Sequence, residues 1–206
     1  MQETLAQTLE ALGFEKGQEQ VAALTTYIGL LSKWNQSFNL TGANTSEAIL
    51  KEIVDSLHVA QFVASLPLED TCQSYDLGAG AGLPGIPLRI LWHKGTYTLI
   101  ERKTKRALFL AQVLAKLKLP KTLCFRGSVE EFQEQHADSG ALILSKAYKP
   151  WDKLLPSLPK LLAPKGLVVM LTCEKPPANF PHGFRLLKSQ AYTLQTKTRW
   201  LWALTL

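Results

Sequence analysis

The first third of the chain places apolar residues three or four positions apart, with polar residues between them. Because an α-helix has about 3.6 residues per turn, this spacing gathers the apolar side chains on one helix face. Leu5, Leu9 and Leu12 predict a first helix, and Gly13 marks its end because glycine is favoured just beyond a helix. A second helix is predicted from its apolar positions, which are Val21, Leu24, Tyr27, Ile28, Leu31 and Trp34.

A third helix is predicted to begin at Asn44, because Glu47 three residues later completes the pattern of a capping box. Its apolar side carries Ile49, Ile53, Val54, Leu57 and Ala60. The helical pattern runs without a break up to Pro67 and changes there. We therefore expect two parts, an N-terminal helical segment at residues 1–66 and a second domain at residues 67–206.

Beyond this boundary, short apolar runs alternate with stretches of helical periodicity. The predicted strands cover residues 74–77, 96–101, 121–127, 141–147 and 166–172. Helices are predicted between them at residues 84–93, 103–118, 128–136 and 151–163. Strands that alternate with helices of this length indicate βαβ units and a parallel sheet covered on both faces.

The C-terminal tail differs, because two β-like runs are separated only by QTKT at residues 195–198. So short a connection favours an antiparallel hairpin at the edge of the sheet. The predicted fold is therefore α/β and Rossmann-like, with five parallel strands, a C-terminal antiparallel hairpin and an N-terminal helical segment. This order of seven strands is typical of class I methyltransferases.

Charge is distributed unevenly along the 206 residues, which carry a net +6. Residues 1–70 hold three Lys or Arg against nine Asp or Glu, whereas residues 71–206 hold 20 against eight. The two parts therefore carry −6 and +12. A basic domain favours a polyanionic partner, with nucleic acid as the first candidate. A solvated basic surface without such a partner gives the same count.

Composition narrows the class of protein further. Apolar residues make up 46% of the chain, enough for a substantial core, yet no run of 18 apolar residues predicts a membrane span. The first 17 residues are amphipathic and acidic, unlike the basic, apolar start of a secretory signal. We expect a cytoplasmic protein with no membrane partner.

The cysteines and histidines show no pattern typical of a metal site or a disulfide framework. Cys72, Cys124 and Cys173 are odd in number, widely spaced and set among apolar residues, so we expect reduced thiols in the core. The four histidines are scattered without metal-ligand spacing. We therefore predict no bound metal.

A glycine-rich stretch follows the first predicted strand: DLGAGAGLPGIPL at residues 76–88. Read from Gly80, it fits the G-x-G-x-x-G pattern of dinucleotide-binding turns. Read from Asp76, it fits an acid-x-G-x-G-x-G pattern instead. In an open α/β sheet the ligand lies beyond the carboxyl ends of the strands, close to this first turn.

Electrostatics favours the second reading. A dinucleotide places its pyrophosphate on the turn, where the carboxylate of Asp76 opposes an anion. S-adenosylmethionine has no phosphate and carries two positive groups, so an acid beside the turn assists its binding, directly or through water. The predicted cofactor is S-adenosylmethionine. An NAD-dependent oxidoreductase is the rival reading.

Glu101 supplies a second indication, since it ends the second predicted strand 21 residues after Gly80. A carboxylate at this position accepts hydrogen bonds from ribose hydroxyls. NAD proteins share this feature, so Glu101 indicates an adenosine ligand without choosing between cofactors. The alternative is that both acids merely cap helices or lie in solvated loops.

At this point the sequence resembles the RsmG or GidB family, the bacterial small-subunit rRNA guanine-N7 methyltransferases. The resemblance covers nearly the whole chain and is carried by KWNQSFNLT (33–41), IVDSL (53–57), DLGAGAGLPGIPL (76–88), LIERKTKRALFL (99–110), VEEF (129–132) and SKA (145–147). The ending L-P-G-I-P-L is much more specific than a bare glycine pattern.

The resemblance implies a function and a set of cofactor contacts. The function is methylation of a guanine N7 in 16S rRNA, with naked rRNA or the small ribosomal subunit as partner and a monomeric enzyme. The family's contacts fall on Gly78, Leu83, Val129 and Glu130, with Glu101 as the ribose acid. The alternative is a cofactor-binding RNA-interaction protein with altered or lost turnover.

Six residues, in four segments, depart from the family pattern. This chain has Lys146 in place of Arg, Ser128 in place of Arg, Lys51-Glu52 in place of Arg-His, and Cys173-Glu174 in place of Lys-Gly. Lysine keeps the charge of arginine but loses its planar, bidentate geometry. We expect these changes to affect RNA affinity more than cofactor binding.

The predicted reaction needs no catalytic base, since guanine N7 has a free lone pair and no proton. We therefore predict catalysis by positioning, without a catalytic residue in the strict sense. Lys146 is the best candidate to contact the target nucleotide or the cofactor carboxylate, and a solvated loop lysine is the alternative. Weaker candidates are Asn39 and Thr41 at the mouth of the site, and Lys103, Lys105 and Arg106 as a phosphate-binding edge.

Overall fold

The computed structural model describes residues 1–14 and 17–206. The N-terminal part contains the three predicted helices: α1 (Gln2–Ala11), α2 (Gln18–Phe38) and α3 (Ser46–Ala64). The predicted helical run also includes residues 15 and 16, which lie outside the described residues.

The predicted start of the third helix at Asn44 is wrong by one residue. Thr45 is the N-cap of α3, and its hydroxyl accepts a hydrogen bond from the N–H of Ala48 at 3.1 Å. Asn44 instead accepts a hydrogen bond from the side chain of Asn35. Threonine caps helices in the same way as asparagine, so the local pattern alone did not separate the two neighbours.

Seven strands form one mixed sheet, as predicted. They are β1 (Gln73–Leu77), β2 (Thr96–Ile100), β3 (Thr122–Phe125), β4 (Gly140–Lys146), β5 (Leu162–Thr172), β6 (Arg185–Leu194) and β7 (Lys197–Thr205). Their spatial order is β3-β2-β1-β4-β5-β7-β6, in which β1 to β5 are parallel. The order reverses between β1 and β4, where ligands of doubly wound sheets bind.

The C-terminal hairpin is confirmed, with a tighter turn than predicted. Strand β7 lies between β5 and β6 and is antiparallel to both. Leu194 pairs with Lys197, so only residues 195 and 196 form the turn, and Gln195 has a positive φ of 57°. Two-residue turns whose first residue has a positive φ match the right-handed twist of paired strands.

Between the strands lie α4 (Gly85–Leu91), α5 (Thr104–Leu117), α6 (Val129–Gln135) and α7 (Trp151–Leu154). The predicted helix over residues 151–163 is wrong beyond Leu154, where a single 3₁₀ turn follows and β5 begins at Leu162. Pro156 and Pro159 lack the N–H that a continuing helix needs. The leucines of this stretch, Leu155, Leu158 and Leu161, keep helical spacing and are buried, although the backbone here does not form an α-helix.

The sheet has a hydrophobic core on each face. The larger core packs α1 to α5 against one face, and it includes Leu31, Leu57 and Phe109. The smaller core packs α6 and α7 against the other face. Trp202 is fully buried there, and Trp200 packs at the border of this core.

Candidate cofactor and substrate site

The glycine turn joins β1 to α4 at the carboxyl edge of the sheet. Gly78, Gly80 and Gly82 have φ angles of +67°, +60° and +81°, a region that other residues adopt only with strain. At Gly78 a Cβ would also overlap the ring of Tyr148. The sequence folds here as a tight turn because these three positions are glycines.

Glu101 ties this turn to the end of β2. It is 4% exposed, and its Oε2 accepts the N–H of Gly80 at 2.9 Å while Oε1 accepts the N–H of Lys103 at 2.7 Å. Each carboxylate oxygen can accept a further hydrogen bond. Two backbone groups thus hold the carboxylate in a fixed orientation. It lies at the end of β2, the position predicted for the acid that binds the ribose.

Four of the predicted site residues line one cavity of about 340 Å³, called here the cofactor cavity. They are Gly78, Glu101, Val129 and Glu130. They come from the ends of β1, β2 and β3, which are neighbours in the sheet. Four cationic residues, Arg102, Lys103, Arg106 and Lys149, line the same cavity.

Val129 and Glu130 contribute differently to the cofactor cavity. Val129 is buried and belongs to the smaller core, so it presents an apolar wall. Glu130 is exposed, and its carboxylate pairs with Lys149 at 2.9 Å. The hydrogen bond from Lys149 lowers the pKa of Glu130.

Asp76 lies beneath the glycine turn and lines neither of the cavities described here. It is 2% exposed, a Cβ on Gly85 would overlap its Oδ2, and the Tyr97 hydroxyl lies 3.4 Å from the same oxygen. Burial raises its pKa to about 7. The carboxylate is therefore partly protonated near neutral pH. A neutral acid does not repel a pyrophosphate, so Asp76 disfavours a dinucleotide less strongly than the sequence indicated.

Leu83 and Gly80 occupy supporting positions. Leu83 is half-buried and packs against the larger core, and it lines neither cavity. Gly80 holds Glu101 through its N–H. Both residues shape the turn that borders the cofactor cavity.

Lys146 ends β4 and forms two ion pairs with α3. Its Nζ lies 2.8 Å from Oε2 of Glu52 and 2.8 Å from Oδ2 of Asp55. The Tyr192 hydroxyl donates to the other oxygen of Asp55 at 2.6 Å. Lys146 is therefore not the solvated loop lysine of the alternative reading. One of its three N–H groups remains for a further partner.

These ion pairs determine the pKa values of the cluster. Burial lowers the pKa of Lys146, but Asp55 and Glu52 more than offset it, so the pKa is raised. Burial raises the pKa of Asp55, but Lys146 and the hydrogen bond from Tyr192 more than offset it, so the pKa is lowered. Both groups are charged at neutral pH.

Two departures from the family pattern contact each other in this network. Glu52 stands where the pattern has His and Lys146 stands where it has Arg, and the two side chains form an ion pair. Ser128, a third departure, is the N-cap of α6 and forms a capping box with Glu131. Each of these residues thus has a structural role in this chain.

A second cavity of about 800 Å³, called here the mouth cavity, opens beside the first. The two cavities share Ala147, Tyr148 and Lys149. Its other lining residues include Asp55, Lys146, Trp151, Met170, Glu174, Tyr192 and Arg199. Sequence reasoning missed Tyr148, Trp151, Tyr192 and Arg199. Tyr148 and Trp151 could have been found from their position just after β4, whereas Tyr192 and Arg199 gave no such signal.

Cys173 corrects the expectation of three core thiols. Cys72 is buried and Cys124 is half-buried, but Cys173 is exposed in the mouth cavity and accepts a hydrogen bond from Arg199. Glu174 beside it accepts a hydrogen bond from the indole N–H of Trp151 at 3.2 Å. Strand β5 ends at Thr172, so both residues project from a loop.

The weaker candidates divide into two groups. Lys103 and Arg106 lie at the cofactor cavity, whereas the Lys105 ammonium lies over the ring of Phe38 at 4.8 Å. Asn39 ends α2 in a left-handed conformation, and Thr41 binds the side chain of Asn35 through its N–H. Neither of these last two lines the cofactor or mouth cavity.

Residues 1–14 and 17–206 contain neither a metal-binding cluster of side chains nor a helix that could span a membrane. No three His, Cys, Asp or Glu side chains in these ranges are grouped so as to hold a metal ion. No helix there has the length and hydropathy needed to cross a membrane.

Comparison with solved structures shows the fold. The chain is similar to the putative methyltransferase yhhF of Escherichia coli, with a TM-score of 0.56 and 17% identity over 73% of this chain and 84% of that one. It is also similar to Pyrococcus horikoshii TYW2 in complex with MeSAdo, with a TM-score of 0.54 and 14% identity over 76% and 61% of the two chains. The seven-stranded methyltransferase fold is confirmed.

Sequence comparison shows the family. The ribosomal RNA small subunit methyltransferase G of Nitratidesulfovibrio vulgaris is 41% identical over 93% of this chain and 88% of the relative. The protein of the same name from Lawsonia intracellularis is 43% identical over 80% and 77% of the two chains. Residues 20–197 match the family model GidB, described as rRNA small subunit methyltransferase G. The chain therefore belongs to the GidB family of small-subunit rRNA methyltransferases.

Proposed function

We propose that this protein transfers a methyl group from S-adenosylmethionine to N7 of a guanine in 16S rRNA. One observation carries the proposal: the glycine turn, Glu101 and Val129 meet in a cavity that adjoins a larger one. The first has the size and groups for a nucleoside cofactor, and the second has room for a base. Family membership supports the rRNA substrate.

The described residues fit S-adenosylmethionine. Gly80 has room where a Cβ would lie, so a ligand can approach its backbone, whereas the ring of Tyr148 fills that space at Gly78. Glu101 is held in place to accept ribose hydroxyls, and Val129 supplies an apolar wall for the adenine ring. Arg106 and Lys103 attract the carboxylate of the methionine portion. We propose these six residues as cofactor contacts.

The remaining residues act on the reaction by orientation. When bound, S-adenosylmethionine supplies an electrophilic methyl group, and guanine N7 has the lone pair that accepts it. No side chain has to remove a proton from the nucleophile. Lys146 lines the mouth cavity and is held by Asp55 and Glu52. Its remaining N–H is available to orient the base in that cavity. Holding both reactants in line removes much of the entropic cost of a bimolecular step.

Charge supports an RNA partner for the domain that carries the site. Residues 71–206 hold a net +12. The mouth cavity itself is lined by three cations and by three acids, Asp55, Asp152 and Glu174, so the excess positive charge lies on the domain around it. Positive charge near the site attracts the phosphate backbone and makes binding salt-dependent. We also propose that the protein acts as a monomer in the cytoplasm, where ribosomal subunits are assembled. Light scattering tests the oligomeric state.

The decisive experiment measures methyl transfer from labelled S-adenosylmethionine to small ribosomal subunits, naked 16S rRNA and bulk tRNA. We expect label in 7-methylguanine of 16S rRNA, and the comparison shows which substrate form is preferred. Glu101→Leu serves as the control that removes the ribose acceptor and abolishes the label.

Cofactor binding without label in any RNA contradicts the proposed function. That result favours the alternative of an RNA-interaction protein that binds the cofactor without turnover. Label in another base, or in tRNA only, contradicts the proposed substrate while leaving the reaction type intact.

A further inference from the structure

Tyr148 lies at the boundary between the cofactor cavity and the mouth cavity. It is the second residue after β4, and its ring approaches Gly78 so closely that a Cβ there would overlap it. Ala147, Tyr148 and Lys149 line both cavities. A group that passes from one cavity to the other therefore moves past the ring of Tyr148.

Carboxylates near this boundary are already engaged with other groups. Glu130 and Asp55 are each ion-paired with a lysine. Glu101 accepts two backbone N–H groups. In the mouth cavity, Asp152 accepts the N–H of Lys153 and Glu174 accepts the indole N–H of Trp151. Asp76 lies beneath the turn and lines neither cavity. A positive charge at the boundary consequently meets an aromatic ring before it meets a free carboxylate.

The Tyr148 ring is arranged to attract a cation. Aromatic rings draw positive charge over their faces, and more strongly where water is partly excluded. The ammonium of Lys149 already lies 5.1 Å from the ring centroid, and the ring is half-buried. A sulfonium has no N–H or O–H to donate, so an aromatic face suits it better than a hydrogen-bond acceptor.

We propose that Tyr148 is a cofactor-binding residue whose ring recognises the sulfonium charge of S-adenosylmethionine. Methyl transfer moves the methyl to the nucleophile and leaves the bonding pair on sulfur, so the product S-adenosylhomocysteine carries a neutral thioether. The ring attracts the cofactor but not the product. Tyr148 thus favours the loaded cofactor and the release of the spent one.

The test measures equilibrium binding of S-adenosylmethionine and S-adenosylhomocysteine by calorimetry to the wild-type protein and two variants. Tyr148→Phe keeps the aromatic face, and we expect it to keep the affinity ratio of the two ligands. Tyr148→Leu removes the face, and we expect it to lower that ratio about three- to thirty-fold, with the affinity for S-adenosylhomocysteine nearly unchanged.

Lys149→Met is the opposite variant, because it removes the cation over the ring and releases Glu130 from its ion pair. Both changes favour a positive ligand, so we expect this variant to keep or increase the preference for S-adenosylmethionine. Thermal unfolding of each variant shows that the fold is intact. Tyr148 is half-buried, so a polar substitute of similar length, Tyr148→Gln, serves as a second non-aromatic variant and has the same expected ratio as Tyr148→Leu.

Several results overturn the inference. An equal loss of both affinities in Tyr148→Leu assigns the ring a shape-filling role only. An affinity ratio in Tyr148→Leu equal to that of the wild type shows that the ring does not recognise the sulfonium charge. Binding of neither ligand to the wild-type protein contradicts the cofactor site itself. Since no RNA is present, failure of the proposed rRNA substrate does not affect the outcome.

Discussion

At the scale of single residues, one carboxylate beneath the glycine turn makes folding stability depend on pH. Burial raises the pKa of Asp76 from 3.8 to about 7. From about pH 4 to about pH 7 the folded protein keeps this proton while the unfolded chain releases it. The contribution of Asp76 to the free energy of unfolding therefore becomes less favourable as pH rises through this window, and the loss is complete above it.

Asp76→Asn is expected to remove this loss. Asparagine keeps a polar group near Tyr97 but carries no charge, so the variant should gain stability over the wild type as pH rises. The gain should be small at pH 4 and reach on the order of a few kcal/mol at pH 8. Urea unfolding at several pH values measures it. Asp70→Asn, at an exposed position, is the control and should show no such trend; an equal trend would contradict the assignment.

Gly78 combines backbone strain with a steric limit. A Cβ there is strained by the positive φ of 67° and also overlaps Tyr148, whereas Gly13 has a φ of 78° and nothing within 4 Å. We expect Gly13→Ala to cost about 1–2 kcal/mol of folding free energy and to leave cofactor affinity unchanged. Gly78→Ala should cost more and weaken S-adenosylmethionine binding at least about ten-fold. Equal effects of the two variants on binding would show that Tyr148 does not define the cavity.

At the scale of elements, a cluster of four side chains joins α3, β4 and β6. Lys146 on β4 pairs with Glu52 and Asp55 on α3, and Tyr192 on β6 donates to Asp55. Asp55 and Tyr192 are buried, so a partner removed from this cluster leaves a charge without compensation. The cluster fixes the N-terminal segment against the mouth cavity.

Lys146→Met tests this cluster. We expect it to destabilise the protein by roughly 2–4 kcal/mol, because the carboxylate of Asp55 stays buried and unpaired. The double variant Lys146→Met, Asp55→Asn removes that charge and should recover most of the loss. Lys149→Met breaks an exposed pair and should cost less than about 1 kcal/mol. Denaturant unfolding measures these free energies. If the effects of Lys146→Met and Asp55→Asn simply add in the double variant, the coupling between Lys146 and Asp55 is contradicted.

At the scale of the whole molecule, the N-terminal segment is joined to the glycine turn. Tyr27 on α2 is fully buried, and its hydroxyl donates to the carbonyl of Ala81 in the glycine turn at 2.6 Å. The larger core is continuous from these helices to the sheet. The expected boundary between residues 66 and 67 falls in the connection from α3 to β1, and whether either part folds alone stays a prediction.

Tyr27→Phe separates this contact from packing. The variant keeps the ring but leaves a buried carbonyl without its donor, so we expect a loss of about 1–3 kcal/mol of folding free energy. Because the turn loses an anchor, S-adenosylmethionine affinity should fall several-fold as well. Tyr75→Phe, a tyrosine hydroxyl on the other face of the sheet, is the control and should leave that affinity unchanged. Equal binding by both variants would show that the turn does not depend on α2.

Much of this protein followed from local sequence pattern. Periodicity placed the helices and strands, and the rule that ligands bind at the carboxyl ends of parallel strands pointed to Glu101. The resemblance to the family pointed to Val129, and both residues line one cavity. Their role as cofactor contacts stays a prediction. Prolines ended the helix predicted over residues 151–163, a local signal that its apolar pattern had concealed. The family, too, could be read from short motifs, since their residues are contiguous in sequence.

Tertiary structure decided the rest. The pairs that define the site join residues far apart in sequence: Lys146 with Asp55, Tyr148 with Gly78, and Tyr27 with Ala81. Burial of Asp76 and exposure of Cys173 likewise depend on what packs around each residue. Local periodicity fixes which face of an element is apolar, but partners across the fold are set only when the chain packs. That packing decides which charges are paired and which ring lies between the two cavities.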